Sequence, residues 1–466
     1  MKVIGGRMKA AAGSCEKLGC WAMGSEWQDV TIGDLCNAGA AVVQTGPFGS
    51  QLHADEYLPQ GVPVVPTEAI RNRQIDWSVL PRISNEKAKT LSRHLLQVGD
   101  ILFARRGIQA TGHIGYVRQA EQGLICGTGA ILLRVKKPHE LDSEFLSHVL
   151  ADPRSIEWFK FHAVGATMPN LNDGIIRSFR FSLPPIEDQR KIAAMLSALD
   201  DRIELYRKLC GTLEELARAI FKSWFVDFDP VRAKAGGREP EGMDANTAAL
   251  FPSTFEDSEL GPIPQGWTTG PITNVLSLNP TRSLKKRVTA TYLDMASVPT
   301  SGPRATSWIK RDFVSGSKFI NGDTLLARIT PCLENGKTAY VDFLEKDEVG
   351  WGSTEFIVVA TKPNVPSQFA YLVARDPGFR QYAIQSMSGT SGRQRVQVDQ
   401  LAMFKITIAN DSIYRAFGTL IERLFQRIRY SSEEQTTLTD LRDTLLPRLI
   451  SGKLRVPEAE AMLMAV

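Results

Sequence analysis

Along residues 187–226 the apolar positions fall on a heptad pattern. Ile192, Leu196, Leu199, Ile203, Tyr206, Cys210, Leu213, Ala217, Ile220 and Trp224 follow one another at alternating steps of four and three. That spacing puts them on one seam of a helix, the signature of a coiled coil. Between them lie Arg190, Lys191, Asp200, Asp201, Arg202, Glu204, Arg207, Lys208, Glu214 and Glu215, which read as the solvated face. Pro184-Pro185 marks the start, and Glu187 and Asp188 supply the negative charge that suits a first helical turn. A second helical pattern covers 411–450, with Ile413, Phe417, Leu420 and Leu424, then Leu438, Leu441 and Leu445. Its middle, "YSSEEQTTL", is more polar and predicts a break in the seam. Elsewhere the apolar runs are short and bounded by Gly or polar turns, as in "DILFAR" (100–105), "AILLRV" (130–135), "DTLLARI" (323–329) and "EFIVVA" (355–360). These read as strands, with helical patches near 143–151 and 367–375.

The two halves of the chain repeat. Gly99-Asp100 and Ala104-Arg105 recur as Gly322-Asp323 and Ala327-Arg328, 223 residues on. Asp152-Pro153 recurs as Asp376-Pro377 and Gly165 as Gly389, 224 residues on. The period is far longer than a solenoid unit, so a whole domain with its helix has been duplicated, and a pseudo-two-fold molecule is the expectation. The predicted fold class is α+β. Two mixed, mainly β domains at 25–182 and 263–408 are each followed by a long helical segment, 183–229 and 409–456. Residues 1–22 read as an extension, 230–262 as a Pro/Gly/Ala-rich linker and 457–466 as a tail. The simplest partner for the first seam is the second helix, as an antiparallel intramolecular coiled coil; homodimerisation through the seam is the competing reading. A helix of this length would be about 50–60 Å long, enough to hold two reading heads on one duplex whose turn is about 34–36 Å.

Composition adds little. The 466 residues carry 55 Lys and Arg against 51 Asp and Glu, a net charge of +4 that tilts only slightly toward an anionic partner. Six scattered cysteines, none in a CxxC pair, read as reduced thiols of a cytoplasmic protein. No apolar run approaches the roughly 20 residues a membrane helix needs.

Motifs for catalysis are missing where they would be sought. The sequence holds no GxGxxG, GxxxxGK[ST] or HExxH, and no N/D-P-P-aromatic tetrapeptide. Its six histidines show no triad or metal-ligand spacing, and no metal site is expected. "GPFGS" (46–50) reads as a tight turn, and a nuclease role for Asp323 with Glu334 has little to recommend it. The expectation is a non-catalytic chain without a cofactor.

Binding features are clearer. Residues 281–311 hold Arg282, Lys285, Lys286, Arg287, Arg304, Lys310 and Arg311 against one acid, Asp294, a footprint suited to phosphates. "SGTSGRQRVQ" (388–397) offers Arg393, Gln394 and Arg395, side chains able to pair with base edges. Arg328, Asn335 and Lys337 follow a strand of the second half; Arg105, Arg106, Gln109, Thr111 and His113 form the parallel set in the first. Each could be an ordinary surface residue. As matched clusters they point to DNA.

The stretch "LPPIEDQRKIAAMLSALDDRIELYRKLCGTLEELARAIFKSWFVDFDPVRAKAGG" resembles the central conserved region of specificity (S) subunits of type I restriction–modification systems. "GDTLLARITPCLENGKTAYV" and "GPFGSQL" resemble stretches of their target recognition domains, and "LRDTLLPRLISGKLRV" their C-terminal conserved region. The resemblance implies two recognition domains, each reading half of an asymmetric bipartite site in double-stranded DNA. It implies that the helices set the gap and dock two modification (methyltransferase) subunits, and that restriction subunits join. S-adenosylmethionine, ATP and Mg²⁺ would then belong to those partners. The residues expected to serve the helical spacer or partner docking on this chain are Ile192, Leu196, Leu199, Ile203, Leu213, Ile220, Trp224 and Phe225, with Leu420, Leu424, Leu441 and Leu445. A coiled-coil protein adaptor and a self-contained restriction or methylation enzyme are the alternatives. The second helix opens "IANDSIYRAF" rather than repeating "LPPIEDQ", so docking at that end is expected to differ.

Overall fold

The computed structural model describes residues 27–49, 51–165, 167–390 and 392–464; the extension expected at 1–22 lies outside them. The chain divides into two units, Met1–Asp201 with Thr439–Val466, and Arg202–Leu438.

In the first unit a four-stranded antiparallel sheet runs in the order Ala41–Thr45, Ala130–Val135, Ile101–Ala104, Ile114–Tyr116. A smaller sheet orders Arg82–Ile83, Val62–Val65 and Ile125–Cys126, the last pair parallel. Gln28–Thr31 pairs with Arg180–Leu183. The second unit repeats this plan. Its antiparallel sheet is Leu276–Leu278, Phe356–Thr361, Thr324–Ala327, Thr338–Tyr340. Its second sheet again contains one parallel pair, Thr289–Leu293 with Gly350–Gly352, and Thr268–Pro271 pairs with Lys405–Ile408.

The repeated dipeptides are structural punctuation. Asp152 and Asp376 each cap a helix, accepting from Arg154 N and Phe379 N, and the proline that follows occupies the first helical turn, where its missing N–H costs nothing. Gly99 and Gly322 take φ of +88° and +90°, a region glycine enters freely. The Asp100 and Asp323 carboxylates then accept from Gln97 N and Ile320 N to close the turn. The Arg105 carbonyl accepts from Leu171 N, and the Arg328 carbonyl from Val396 N. A fifth match was not apparent from the dipeptides: Tyr116 OH meets Ser143 Oγ at 3.3 Å, and Tyr340 OH meets Ser367 Oγ at 2.7 Å.

Both long helices form, over Ile186–Phe225 and Asp411–Leu449, and the second is unbroken through its polar middle. Gln189 anchors the start of the first: its amide donates to the Pro184 carbonyl and its oxygen accepts from Asp142 N. Within the second unit the helices pair antiparallel. Trp224 meets Phe417 at one level, and Cys210 meets Ser432 at another. In the first unit Asp200 pairs with Arg442 at 3.1 Å. Ile192, Leu196, Leu199, Ala217 and Trp224 are buried as the seam requires, while Ile203, Leu213 and Ile220 are half-buried.

Three readings need correction. On the second helix the seam passes through Ile421, Phe425 and Ile428; Leu420 is exposed, and Leu424 and Leu441 are half-buried while Leu445 is buried. In its middle Ser431 is buried, so small side chains keep the helices in contact where no large apolar residue stands. Glu214, assigned to the solvated face, is buried. It accepts from Tyr371 OH at 2.5 Å and from Gly302 N at 2.9 Å, and faces Arg375 at 3.7 Å. Finally, 230–262 is no plain linker. It forms helices Asp229–Ala235 and Ala245–Ala249 and a hairpin of Phe255–Ser258 with Gly261–Pro264. Val231, Phe251 and Ile263 enter the core of the second unit. The tail is also helical, over Val456–Met464.

Candidate nucleic-acid interface

In both units one set of candidate side chains follows the third strand of the antiparallel sheet: Arg105, Arg106, Gln109, Thr111 and His113 after Ile101–Ala104, and Arg328, Asn335 and Lys337 after Thr324–Ala327. In the first unit the loop after this strand is tightly held. Thr111 Oγ1 donates to the Gly107 carbonyl at 2.7 Å and to the Pro169 carbonyl at 3.2 Å. Thr111 is therefore buried and supports the loop; it is no DNA contact. Arg105 is half-buried, its Nε donating to Asn170 Oδ1 at 2.9 Å and to the Leu171 carbonyl. His113 is also half-buried, its Nδ1 enclosed without a partner, and burial followed by Lys160 and Arg71 pushes its pKa below the usual histidine value. A neutral imidazole there offers no charge to a phosphate. Arg106 and Gln109 remain exposed. Arg106 borders a cleft of about 760 Å³ whose walls include Phe48, Tyr57, Thr67, Glu68, Thr128 and Met168. Sequence reasoning missed the cleft, because its walls come from six separate stretches between positions 47 and 168.

In the second unit much of the apparent positive charge is already neutralised. Arg282 pairs with buried Asp323 at 2.9 Å, as Arg134 pairs with Asp100 at 2.6 Å in the first unit. Arg304 binds Asp342 and Glu433, and Lys310 binds Glu345 and Glu348. Burial opposes ionisation of Glu348, but hydrogen bonds from Lys310 and Thr291 hold it down to about 2. The Arg311 guanidinium lies over Tyr292 and Trp351. Of the seven cations in 281–311, Lys285, Lys286 and Arg287 stay exposed with no ion-pair partner among the described residues. Lys337 donates to the Met295 and Ala296 carbonyls, which makes it a loop strut. Arg395 is held by Glu355 through contacts of 2.7–3.0 Å, and its hydrogen bonds hold the Glu355 carboxyl below the usual range. Arg328 reaches Gln397 at 3.3 Å. Asn335 and Arg393 are exposed and Gln394 half-exposed, its main chain tied to Thr330. The structure thus leaves Arg106, Gln109, Lys285, Lys286, Arg287, Asn335, Arg393 and Gln394 available, and ties up Arg105, Thr111, Arg282, Arg328, Lys337 and Arg395.

Trp224 and Phe225, expected at a docking surface, are buried in the core of the second unit. Trp224 packs against Phe251 and Phe417, and Phe225 against Phe369, Tyr414 and Phe417. Among the described residues no group of three His, Cys, Asp or Glu side chains is disposed to hold a metal, and no helix is long and apolar enough to cross a membrane.

Residues 24–215 match the family described as type I restriction modification DNA specificity domain. The chain is 27% identical over 365 residues to the type I restriction enzyme HindI specificity subunit of Haemophilus influenzae, covering 67% of this chain and 77% of that one. It is 26% identical over 416 residues to the MjaIX specificity subunit of Methanocaldococcus jannaschii, covering 86% and 89%. In fold it is similar to the crystal structure of a type I restriction–modification S subunit from M. genitalium, with a TM-score of 0.55 at 15% identity over 93% of this chain and 98% of that one.

Proposed function

We propose that the chain, which matches the specificity-domain family over residues 24–215 and is similar to specificity subunits of type I restriction–modification systems, is the DNA-reading subunit of such a complex and itself performs no chemistry. Each globular domain reads one half of an asymmetric two-part site. The two long helices set the unread gap and dock two methyltransferase subunits, which bring S-adenosylmethionine and take the target adenine out of the stack. Restriction subunits, with ATP and Mg²⁺, complete the assembly.

The observation that carries this reading is the duplication: one domain plan, with one strand order and one set of capped turns, occurs twice with different loops. One copy would suffice for a docking adaptor. Two copies with unlike loops suit a bipartite, asymmetric target, because two modest half-site contacts held at a fixed spacing multiply in affinity. Exposed cations such as Lys285 and Lys286 suit phosphate contacts, which position the protein without reading sequence.

The test is domain exchange in the complex with its methyltransferase subunit. Replacing residues 27–180 by the equivalent domain of another specificity subunit should change one half of the methylated motif and leave the other half and the gap intact. A motif altered in both halves, or in neither, would contradict the assignment.

A further inference from the structure

Among the described residues eight large apolar side chains are more than 60% exposed, and five of them belong to one region of the first unit: Phe48, Ile108, Phe161, Val164 and Met168. Ile108 is 79% exposed and Phe161 85%. Single exposed apolar side chains need no explanation, but five on neighbouring loops and one helix end do.

The loops are neighbours by direct contact. Val164 and Asn170 exchange main-chain hydrogen bonds of 3.0 and 2.9 Å, and Asn170 also accepts from Arg105 at 2.9 Å. Thr111 ties the 107–111 turn to Pro169. Gly112 lies so close to the helix Pro153–His162 that an added Cβ would sit 3.1 Å from the Phe159 Cβ. Phe48 and Met168 line the same cleft as Arg106. Ile108 therefore stands at the tip of a turn whose base is fixed on three sides. A rigid base with an exposed apolar tip is what insertion requires, since little ordering cost remains to be met on binding.

The charge around the tip favours an anionic occupant. Exposed Arg71, Arg106 and Lys160 outnumber exposed Glu68 and Glu157, and Gln109 beside Ile108 can donate and accept. Proteins that meet DNA with apolar side chains among cations commonly push those side chains between base steps, partly unstacking them. Among the described residues the second unit lacks this arrangement. There the same turn reads "RITPCLENGK", with Pro331 at the position matching Ile108, and nearby Arg395 is held by Glu355.

We propose that the 106–110 turn, with Phe161 and Met168 beside it, enters the DNA groove of the first half-site and holds one base step partly unstacked, with Ile108 as the wedge. The inference rests on the DNA-reading function and adds a mode of reading to it. Specificity at that step would come from how easily it deforms as well as from direct contacts.

The experiment uses the complex with the methyltransferase subunit and duplexes carrying 2-aminopurine, moved one position at a time through the first half-site. The wild-type complex should brighten the probe at one step other than the methylated adenine. Ile108→Ala should return that step to the free-duplex level while the signal at the methylated adenine persists. Ile108→Ala combined with Phe161→Ala should weaken binding about tenfold, the scale of losing a base contact. Both positions are exposed, so thermal unfolding should be unchanged. Brightening at the methylated adenine alone, or no response to Ile108→Ala, would overturn the wedge. So would release of the methyltransferase subunit from the Ile108→Ala chain without DNA, which would make the patch a protein-docking surface. A wild-type complex that methylates no specific site would overturn the DNA-reading function itself, and the wedge with it.

Discussion

Glu214→Ala should lower the unfolding free energy of the Arg202–Leu438 unit by about 3–5 kcal/mol, the usual cost of removing one partner from a buried ion pair. Arg375 is nearly as buried as Glu214 and donates besides to the carbonyls of Thr300, Gly302, Gly336 and Thr338. Those carbonyls, with the Tyr371 hydroxyl that accepts from Nε, satisfy its N–H groups but carry no charge. Without Glu214 the guanidinium would stay buried and uncompensated, and the Tyr371 hydroxyl would lose its acceptor. Burial drives the Tyr371 pKa well above its ordinary value, so the phenol remains a neutral donor and cannot take over the role of counter-charge. Urea unfolding of the full chain, followed by tryptophan fluorescence, would measure the loss. Removing both charges with Glu214→Leu and Arg375→Met should recover much of it, because a well-packed apolar pair can replace a buried ion pair. A Glu214→Ala midpoint equal to that of the wild type would show that the carboxylate is solvated, as the heptad pattern alone suggests.

Trp224→Ala should cost the same unit about 3–5 kcal/mol, the range for truncating a large buried aromatic side chain. Its ring lies 5.1 Å from Phe251 and 5.7 Å from Phe417, so it joins the long helices to the segment that precedes the second domain. The loss should be seen in urea unfolding before any partner is added. Association with a methyltransferase subunit should then fall in step with the folded fraction. An unchanged unfolding midpoint with lost association would mean that Trp224 is a docking residue after all.

The sequence made the duplication legible because its signs are local. A cap aspartate beside a first-turn proline, or a glycine at a turn needing positive φ, occupies fixed neighbouring positions in both halves. The first helical seam was legible for the same reason. What was not legible depends on partners far along the chain. Glu214 meets Tyr371 157 residues away, and the sequence spacing places it beside Leu213 as an exposed polar residue. The one-residue shift from Leu420 to Ile421 arises because two aliphatic neighbours compete for one seam position and packing chooses between them. The basic cluster at 281–311 misled because a count within a window cannot include Asp323, Asp342 or Glu348, each of which neutralises one of its cations from outside. The stretch 230–262 lacks periodicity because it contributes single anchors, Val231, Phe251 and Ile263, rather than one continuous face.

The central claim is that two unlike copies of one domain read one split DNA site. The most direct measurement is sequencing of modified bases in DNA from cells that express this chain with its methyltransferase subunit. The account predicts adenine methylation at one motif of two unlike halves separated by a fixed unread gap. Methylation at an uninterrupted motif, or no new methylation from an assembled complex, would contradict it.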